Sequence, residues 1–281
     1  KPGSHTTAPA ISVRKRPRKP AWGVALRRSC ALSLGLLSNF CSAESLMWGY
    51  GPADSMPYVG LEQQHVEHGL AYQVSQEISK RFGLPVEFLE TPNNRLEPYL
   101  QQGRLHLICN TYPEWVSQPQ QYHWSPALYD EQDALLQRTD QPELTSLASL
   151  YGKVLGTSLG YIYSQPLMTA FSTGKVARQD VRDLDTSLHM LDRQRLDAVI
   201  DMQRNLAYKL AQHPQMQLHF SPWVVQRYEV YCAYSSHLPI PAERLDALLL
   251  ELRDERMIDQ WLDEALRSAA DRPAPLSADA R

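Results

Sequence analysis

The sequence predicts an α/β protein with mixed, mostly parallel sheets flanked by helices. Apolar runs such as 105–109 and 196–200 are too short for helices and follow a charged residue, which is typical of buried strands. Between such runs lie segments in which apolar residues recur every three or four positions, as on one face of a helix. Strands and helices that alternate over short links indicate βαβ units, whose strands run parallel.

These elements follow one another from residue 45 to residue 266. After Gly69, the residues Leu70, Val74 and Ile78 share one helical face, and Gly83 supplies the stop. Strands are predicted over 45–50, 85–89, 105–109, 134–137, 153–157, 196–200, 217–220 and 229–234. Helices are predicted over 69–82, 94–102, 164–171, 188–191, 205–211, 242–252 and 258–266. Residues 270–281 are rich in Pro, Ala and Asp and are predicted to be disordered.

Residues 1–43 have the pattern of a secretory signal peptide. A basic region, 14–28, precedes an apolar core of about 12 residues, and the small residues Cys41 and Ala43 occupy positions −3 and −1 of a cleavage site. A membrane-spanning helix needs about 20 residues, so an anchor is the weaker alternative. We therefore expect export to the periplasm and a mature chain that begins at Glu44.

The charge that remains after this cleavage argues against one class of partner. The leader holds eight of the 28 basic residues and no acidic residue, which leaves 20 basic against 31 acidic residues. Nucleic-acid binding needs a basic stripe or patch, so we expect none. The sequence has no CxxC or HExxH motif, and we expect neither a metal nor a cofactor.

Two cysteines lie beyond the leader, Cys109 and Cys232, and both fall in strand-like runs. An oxidising compartment permits a disulfide between them. Two buried free thiols are the alternative, because free cysteine behaves as a small apolar residue.

Polar and aromatic side chains follow the strand 105–109 at the point where it ends. They are Asn110, Thr111, Trp115 and Gln118. Ligands of open α/β sheets bind beyond the carboxyl ends of strands, so we expect a binding cleft at this position. Residues 195–201 repeat the pattern of 104–110 and again end in a polar residue. The repeat predicts two lobes of similar build that share the cleft.

Six short motifs are characteristic in their order and spacing. They are Met56-Pro57-Tyr58, Gly69-Leu70, LEPYLQQG at 96–103, WSPALY at 124–129, GKVLG at 152–156 and LDAVID at 196–201. Through them the chain resembles the family 3 solute-binding proteins, the periplasmic receptors of polar amino acid ABC transporters. The resemblance implies the type II periplasmic binding fold, in which two α/β lobes joined by a two-strand hinge close on a ligand. Lobe 1 would comprise residues 44–133 and 224–269, and lobe 2 residues 134–223.

The resemblance also implies ligand-binding residues. Asp201 matches the family aspartate that receives a ligand ammonium, with a helix cap as the alternative. Gly160 and Tyr161 match a turn at a helix start whose N–H groups face a ligand carboxylate. Asn110 and Thr111 match the loop that hydrogen-bonds the ligand from lobe 1.

The chain departs from the family where an arginine normally clamps the ligand carboxylate. That arginine would fall near Ser117 or Gln118, yet no arginine occurs between Arg104 and Arg138. Arg95 is the candidate replacement, and a solvated helix residue is the alternative for it. The missing clamp argues against a standard α-amino acid as the ligand.

Three aromatic residues complete the candidate site. Trp115 would replace a stacking face that the family supplies elsewhere, and packing in the interior is the alternative. Tyr50 and Tyr58 would contact the ligand or, as the alternative, pack against neighbouring residues.

Together these observations predict a non-enzymatic, monomeric receptor. It would capture a small polar solute, amino-acid-like or amine-containing, for an inner-membrane ABC transporter permease. One alternative is a periplasmic dehydratase-like enzyme on the same fold, in which Asp201 does acid–base work. The other is a ligand-presenting partner of a membrane sensor.

Overall fold

Strands and helices alternate through residues 45–271, the part of the chain that the computed structural model describes. The strands are β1 Leu46–Tyr50, β2 Gly60–Glu62, β3 His65–His68, β4 Val86–Glu90, β5 Leu107–Thr111, β6 His123–Trp124, β7 Tyr129–Arg138, β8 Val154–Ser158, β9 Ala177–Val181, β10 Ala198–Met202, β11 Leu218–Phe220 and β12 Gln226–Tyr234. The helices are α1 Leu70–Phe82, α2 Asn93–Gln101, α3 Gln165–Ser172, α4 Leu184–Asp192, α5 Gln203–Gln212, α6 Ala242–Asp254 and α7 Met257–Arg267.

Each predicted strand and helix overlaps an observed one, and four short strands were not predicted. The hairpin β2–β3 and the edge strand β9 are largely exposed and polar, so no apolar run marks them. Strand β6 has only two residues. A short 3-10 turn, Ser268–Asp271, extends two residues into the predicted tail. The predicted leader and the rest of that tail lie outside the described residues.

Ten strands form one mixed sheet in the order β4-β1-β5-β12-β7-β10-β8-β9, with β6 beside β12 and β11 beside β7. Strands β1, β4 and β5, the first trio, are parallel to one another, and so are β8, β9 and β10, the second trio. The long strands β7 and β12 pair with each other and join the trios through antiparallel ladders. The expected mostly parallel character therefore holds within each trio only, because the two joining strands run against their neighbours.

The core explains why the strand runs are so apolar. The first trio packs against α1 and α6, where Val74 and Leu249 lie in one buried cluster. In the second trio, successive residues of β10 serve opposite faces: Val199 packs with α4, and Ile200 packs with α3. A strand buried on both faces reads as a continuous apolar run rather than an alternating one. Within residues 45–271, no helix has the length and apolarity that a membrane crossing requires.

Candidate ligand-binding site

A cavity of about 320 Å³ lies where strands of both trios end. Tyr50 ends β1 and Thr111 ends β5, and both line it from the first trio. Gly160 follows β8 and Met202 ends β10, and both line it from the second trio. The cavity thus occupies the position expected for ligands in open α/β sheets.

Six of the predicted site residues lie in the cavity wall. They are Tyr50, Asn110, Thr111, Trp115, Gly160 and Tyr161. Four others do not line it. Tyr58 is buried in the core, where its ring stacks on Tyr129 and its hydroxyl donates to Glu131. Arg95 and Gln118 are exposed on the protein surface. Asp201 lies beneath the wall rather than in it.

Asp201 is 4% exposed and is held by three donors. Its Oδ1 accepts hydrogen bonds from the Met202 N–H, at 2.8 Å, and from Asn205 Nδ2, at 2.9 Å. Its Oδ2 accepts from the Ser158 hydroxyl at 3.1 Å. Burial raises the pKa of Asp201 to about 6, against the lowering effect of these donors. Asp201 therefore links β8, β10 and the first turn of α5, and places a titratable group next to the cavity-lining Met202.

Asn110 faces the cavity because strand β5 contains a bulge. Thr111 pairs with Tyr231 and Ile108 pairs with Ala233, so two residues of β5 oppose the single Cys232 of β12. Asn110 takes up the extra position with a left-handed backbone, φ 55°, which asparagine tolerates better than most residues. Its Oδ1 accepts a hydrogen bond of 2.9 Å from the Tyr129 hydroxyl.

Cys109 and Cys232 form a disulfide at this bulge, with α-carbons 3.9 Å apart. The bond joins β5 to β12 directly below the cavity, whose wall includes Cys109. It fixes the end of β5 to β12, one of the two strands that join the trios.

Asp54 is a cavity residue that the sequence reasoning missed. Its Oδ2 accepts the Gly51 N–H at 2.8 Å, and its Oδ1 accepts the Tyr161 hydroxyl at 3.0 Å. Burial raises the pKa of Asp54 above its ordinary value. The signal was present, because Asp54 lies in the loop directly after β1, where the strand-end rule places ligand-binding side chains.

Two hydrogen bonds cross the cavity between the loops of the first and second trios. One joins Tyr161 to Asp54, and the other runs from Asn93 Nδ2 to the Leu159 carbonyl at 3.1 Å. Gly160 has φ 80°, and a Cβ built there would approach Asn93 to 3.3 Å. The positive φ favours glycine at this position, and a larger residue would also have to push the Asn93 side chain back slightly.

The turn at Gly160 is not itself a helix start. The Tyr161 N–H donates to the Ser158 carbonyl at 3.1 Å, and the Tyr161 carbonyl accepts from Arg178 Nη2 at 2.9 Å. Helix α3 begins only at Gln165. The peptide groups of Tyr161 are therefore engaged within the second trio's own loops.

Trp115 connects the cavity wall to the joining strands. Its ring meets Tyr112 and Tyr228 edge-on, with centroids 4.6 and 5.1 Å away. The Tyr228 hydroxyl on β12 donates to Asp133 Oδ1 on β7 at 2.8 Å. Burial raises the pKa of Asp133 to about 7. An aromatic cluster thus runs from the wall to the point where β7 and β12 pair.

The sequence as a whole matches one family model. The bacterial extracellular solute-binding proteins, family 3, match over residues 50–270. The chain belongs to this family. Membership confirms the predicted family and the predicted solute-binding function, and it decides against the dehydratase-like alternative, since the family comprises binding proteins.

Individual relatives of this family 3 protein are distant. The "Probable histidine-binding protein" of Campylobacter jejuni subsp. jejuni is 22% identical over 166 residues, which cover 59% of this chain and 64% of the relative. The chain thus spans slightly under two thirds of that protein's length.

Two solved structures with the same fold are also distant from this chain in sequence. AbpA from Streptococcus pneumoniae, an amino acid ABC transporter substrate-binding protein bound to L-arginine, has a TM-score of 0.68 at 16% identity over 82% of this chain and 98% of its own. A mutant of ArgBP from T. maritima has a TM-score of 0.67 at 18% identity, and the match covers 80% of this chain and 96% of the ArgBP chain. These matches show a mixed α/β fold like that of type II periplasmic binding proteins.

Proposed function

We propose that the protein captures a small amine-bearing solute in the periplasm and delivers it to an inner-membrane ABC transporter permease. Membership of an extracellular solute-binding family supports capture outside the cytoplasm. The names of the relatives, one a probable histidine-binding protein and one an amino acid ABC transporter protein with bound L-arginine, support a nitrogen-containing ligand and a transporter partner.

The observation that carries this proposal is the charge of the cavity wall. Asp54 and Glu97 present carboxylates there, and none of the wall residues, all in the described part of the chain, is Lys, Arg or His. A charge-assisted hydrogen bond between an ammonium and a carboxylate contributes roughly 1.5–3 kcal/mol. The six predicted residues in the wall would supply the remaining contacts, and Asp201 would add to the negative potential from below.

The arrangement of the sheet also supports closure by a hinge. Strands β7 and β12 are the two connections between the trios, as a two-strand hinge requires. Lobe 1 would be residues 44–133 and 224–269, and lobe 2 residues 134–223. The hydrogen bonds Asp54–Tyr161 and Asn93–Leu159 would then be contacts between lobes that open and close with the ligand.

A thermal-shift screen followed by calorimetry tests the proposal. Full-chain protein is screened against amino acids and amines, and a true ligand at 100 times its Kd should add about 2.7 kcal/mol of stability. Tyr161→Leu should then weaken the best ligand at least tenfold, since it removes a ring from the wall and a partner of Asp54.

The matched control is Tyr151→Leu, which changes a tyrosine that is 45% exposed and lies outside the cavity. It should leave the affinity within about twofold of wild type. If no amine or amino acid stabilises the protein, or if both variants bind like wild type, this function of the cavity is wrong.

A further inference from the structure

The cavity lacks a cationic side chain that would hold a ligand carboxylate. Its wall, within the described residues, contains no basic side chain. Arg95, the predicted replacement for the clamp, is exposed on α2 and is not among the wall residues. The Tyr161 N–H, at the turn expected to receive a carboxylate, is already bonded to the Ser158 carbonyl.

The acids around the cavity would also oppose a carboxylate. Asp54 lies in the wall, and Asp201 lies below it within electrostatic reach of Asp54. Glu97 adds a second carboxylate to the wall, and both of its oxygens accept hydrogen bonds from Ser117, from the N–H at 2.8 Å and from the hydroxyl at 2.7 Å. A like charge placed against a fixed carboxylate in a partly buried site is strongly unfavourable.

The rest of the wall is suited to a flat or apolar body. The rings of Tyr50, Trp115 and Tyr161 line it together with Ile108 and Met202. Small-molecule sites of this kind bury an apolar body and fix its orientation with a few polar groups. Asp54 is the charged group in this wall whose oxygens receive donors from both sides of the cavity.

We propose that the ligand is an organic amine that has no carboxylate, and that Asp54 is the residue that selects its ammonium group. The inference rests on the proposed function, because it specifies what the same cavity binds. The amine would lie between the aromatic rings, with its nitrogen against the Asp54 carboxylate. An α-amino acid with the same side chain would bind more weakly, because its carboxylate would have no partner and would face Asp54.

Matched pairs of ligands that differ only in the carboxylate test this inference. Affinities are measured by calorimetry on the full chain for agmatine and arginine, histamine and histidine, and tyramine and tyrosine. At least one amine should bind, and at least tenfold more tightly than the amino acid of its pair. Asp54→Asn should weaken that amine at least tenfold and should reduce the preference within the pair.

The control variant is Asp263→Asn, the same chemical change at an exposed position on α7. It should bind like wild type, and circular dichroism should show both variants folded. If an amino acid binds as tightly as its amine, the inference is wrong while the proposed function stands. If no member of any pair binds, the proposed function itself fails. The ligand preference of the wild-type protein decides the matter even if Asp54→Asn does not fold.

Discussion

Two stretches of nearly the same sequence pattern, 104–110 and 195–201, take different roles at the cavity. The first forms β5, whose bulge turns Asn110 into the wall. The second forms β10, which pairs with β7 without interruption up to Met202 and leads directly into α5. Asp201, the counterpart of Asn110, therefore stays within a regular ladder and is buried beneath the wall.

The difference shows that the geometry of the strand end, rather than the apolar run before it, decides whether a polar side chain lines the cavity or is buried beneath it. A bulge adds a residue to one strand and redirects its side chain, and bulges are common beside functional sites. The unbroken strand β10 keeps Asp201 buried among one backbone donor and two side-chain donors, where its charge acts through space. Strand β5 thus gives the cavity a polar wall residue next to a disulfide, and β10 gives it a carboxyl group buried beside the cavity-lining Met202.

Removal of the disulfide should have the largest effect on stability. Of the two strands compared, β5 is the one that a covalent bond ties to its neighbour. Cys109 and Cys232 are 123 residues apart. Native disulfides typically contribute about 2–5 kcal/mol, mainly by restricting the unfolded chain. The double variant Cys109→Ala/Cys232→Ala should lose a free energy of unfolding in this range in urea titrations.

Reductant supplies the control for this variant. It should lower the urea midpoint of the wild-type protein and leave that of the double variant unchanged. Free-thiol counting on the denatured, unreduced wild type should find no thiol from this pair. A double variant as stable as the oxidised wild type would show that the bond does not stabilise the bulge.

The charge of Asp201 should have the next largest effect, and it depends on pH. A carboxyl group with a pKa of about 6 in the folded protein and an ordinary pKa near 3.8 when unfolded binds its proton more tightly in the fold. Its contribution to stability is therefore favourable at pH 4 and is lost as the pH rises to about 6. As the pH rises from 4 to 6, the free energy of unfolding of Asp201→Asn should therefore increase by roughly 2–3 kcal/mol relative to that of the wild-type protein.

Denaturant unfolding at pH 4, 5, 6 and 7 measures the difference between the two proteins. The difference should grow between pH 4 and 6 and then level off. The exposed Asp263→Asn serves as the reference variant. A difference that is constant with pH would mean that Asp201 titrates alike in the folded and unfolded chains.

How much of this could be predicted from the sequence differs between the fold and the site. The strands buried on both faces, β10 above all, were predicted because two packed faces leave an unmistakable apolar run. The position of the cavity was predicted because polar side chains follow such a strand at its carboxyl end, where ligands of open α/β sheets bind. The bulge was not predicted. The sequence Cys109-Asn110-Thr111 does not indicate that two residues of β5 lie opposite a single residue of β12.

Asp54 was missed for a related reason. The strand-end rule points to the loop after β1 but does not single out Asp54 within it, because the role of Asp54 depends on Tyr161, 107 residues away in the chain. Asp201 was identified as a site residue because it follows an apolar run and matches the family aspartate, but the sequence does not show that Ser158 and Asn205 enclose it. Long-range contacts of this kind decide whether a side chain faces a ligand or the core.

The smallest predicted effect tests the backbone difference between Asn110 and Asp201 directly. Asn110 has φ 55°, whereas Asp201 lies in the regular strand β10. Alanine in a left-handed conformation costs roughly 1 kcal/mol relative to glycine, and glycine in a strand costs roughly 0.5–1 kcal/mol relative to alanine. Asn110→Gly should therefore be more stable than Asn110→Ala by about 1 kcal/mol. At Asp201 the order should reverse, with Asp201→Ala more stable than Asp201→Gly. Each pair loses the same side-chain hydrogen bonds, so the difference within a pair reports the backbone alone. Chemical denaturation of the four variants gives both differences, and the same order at both positions would show that the bulge at Asn110 is absent in solution.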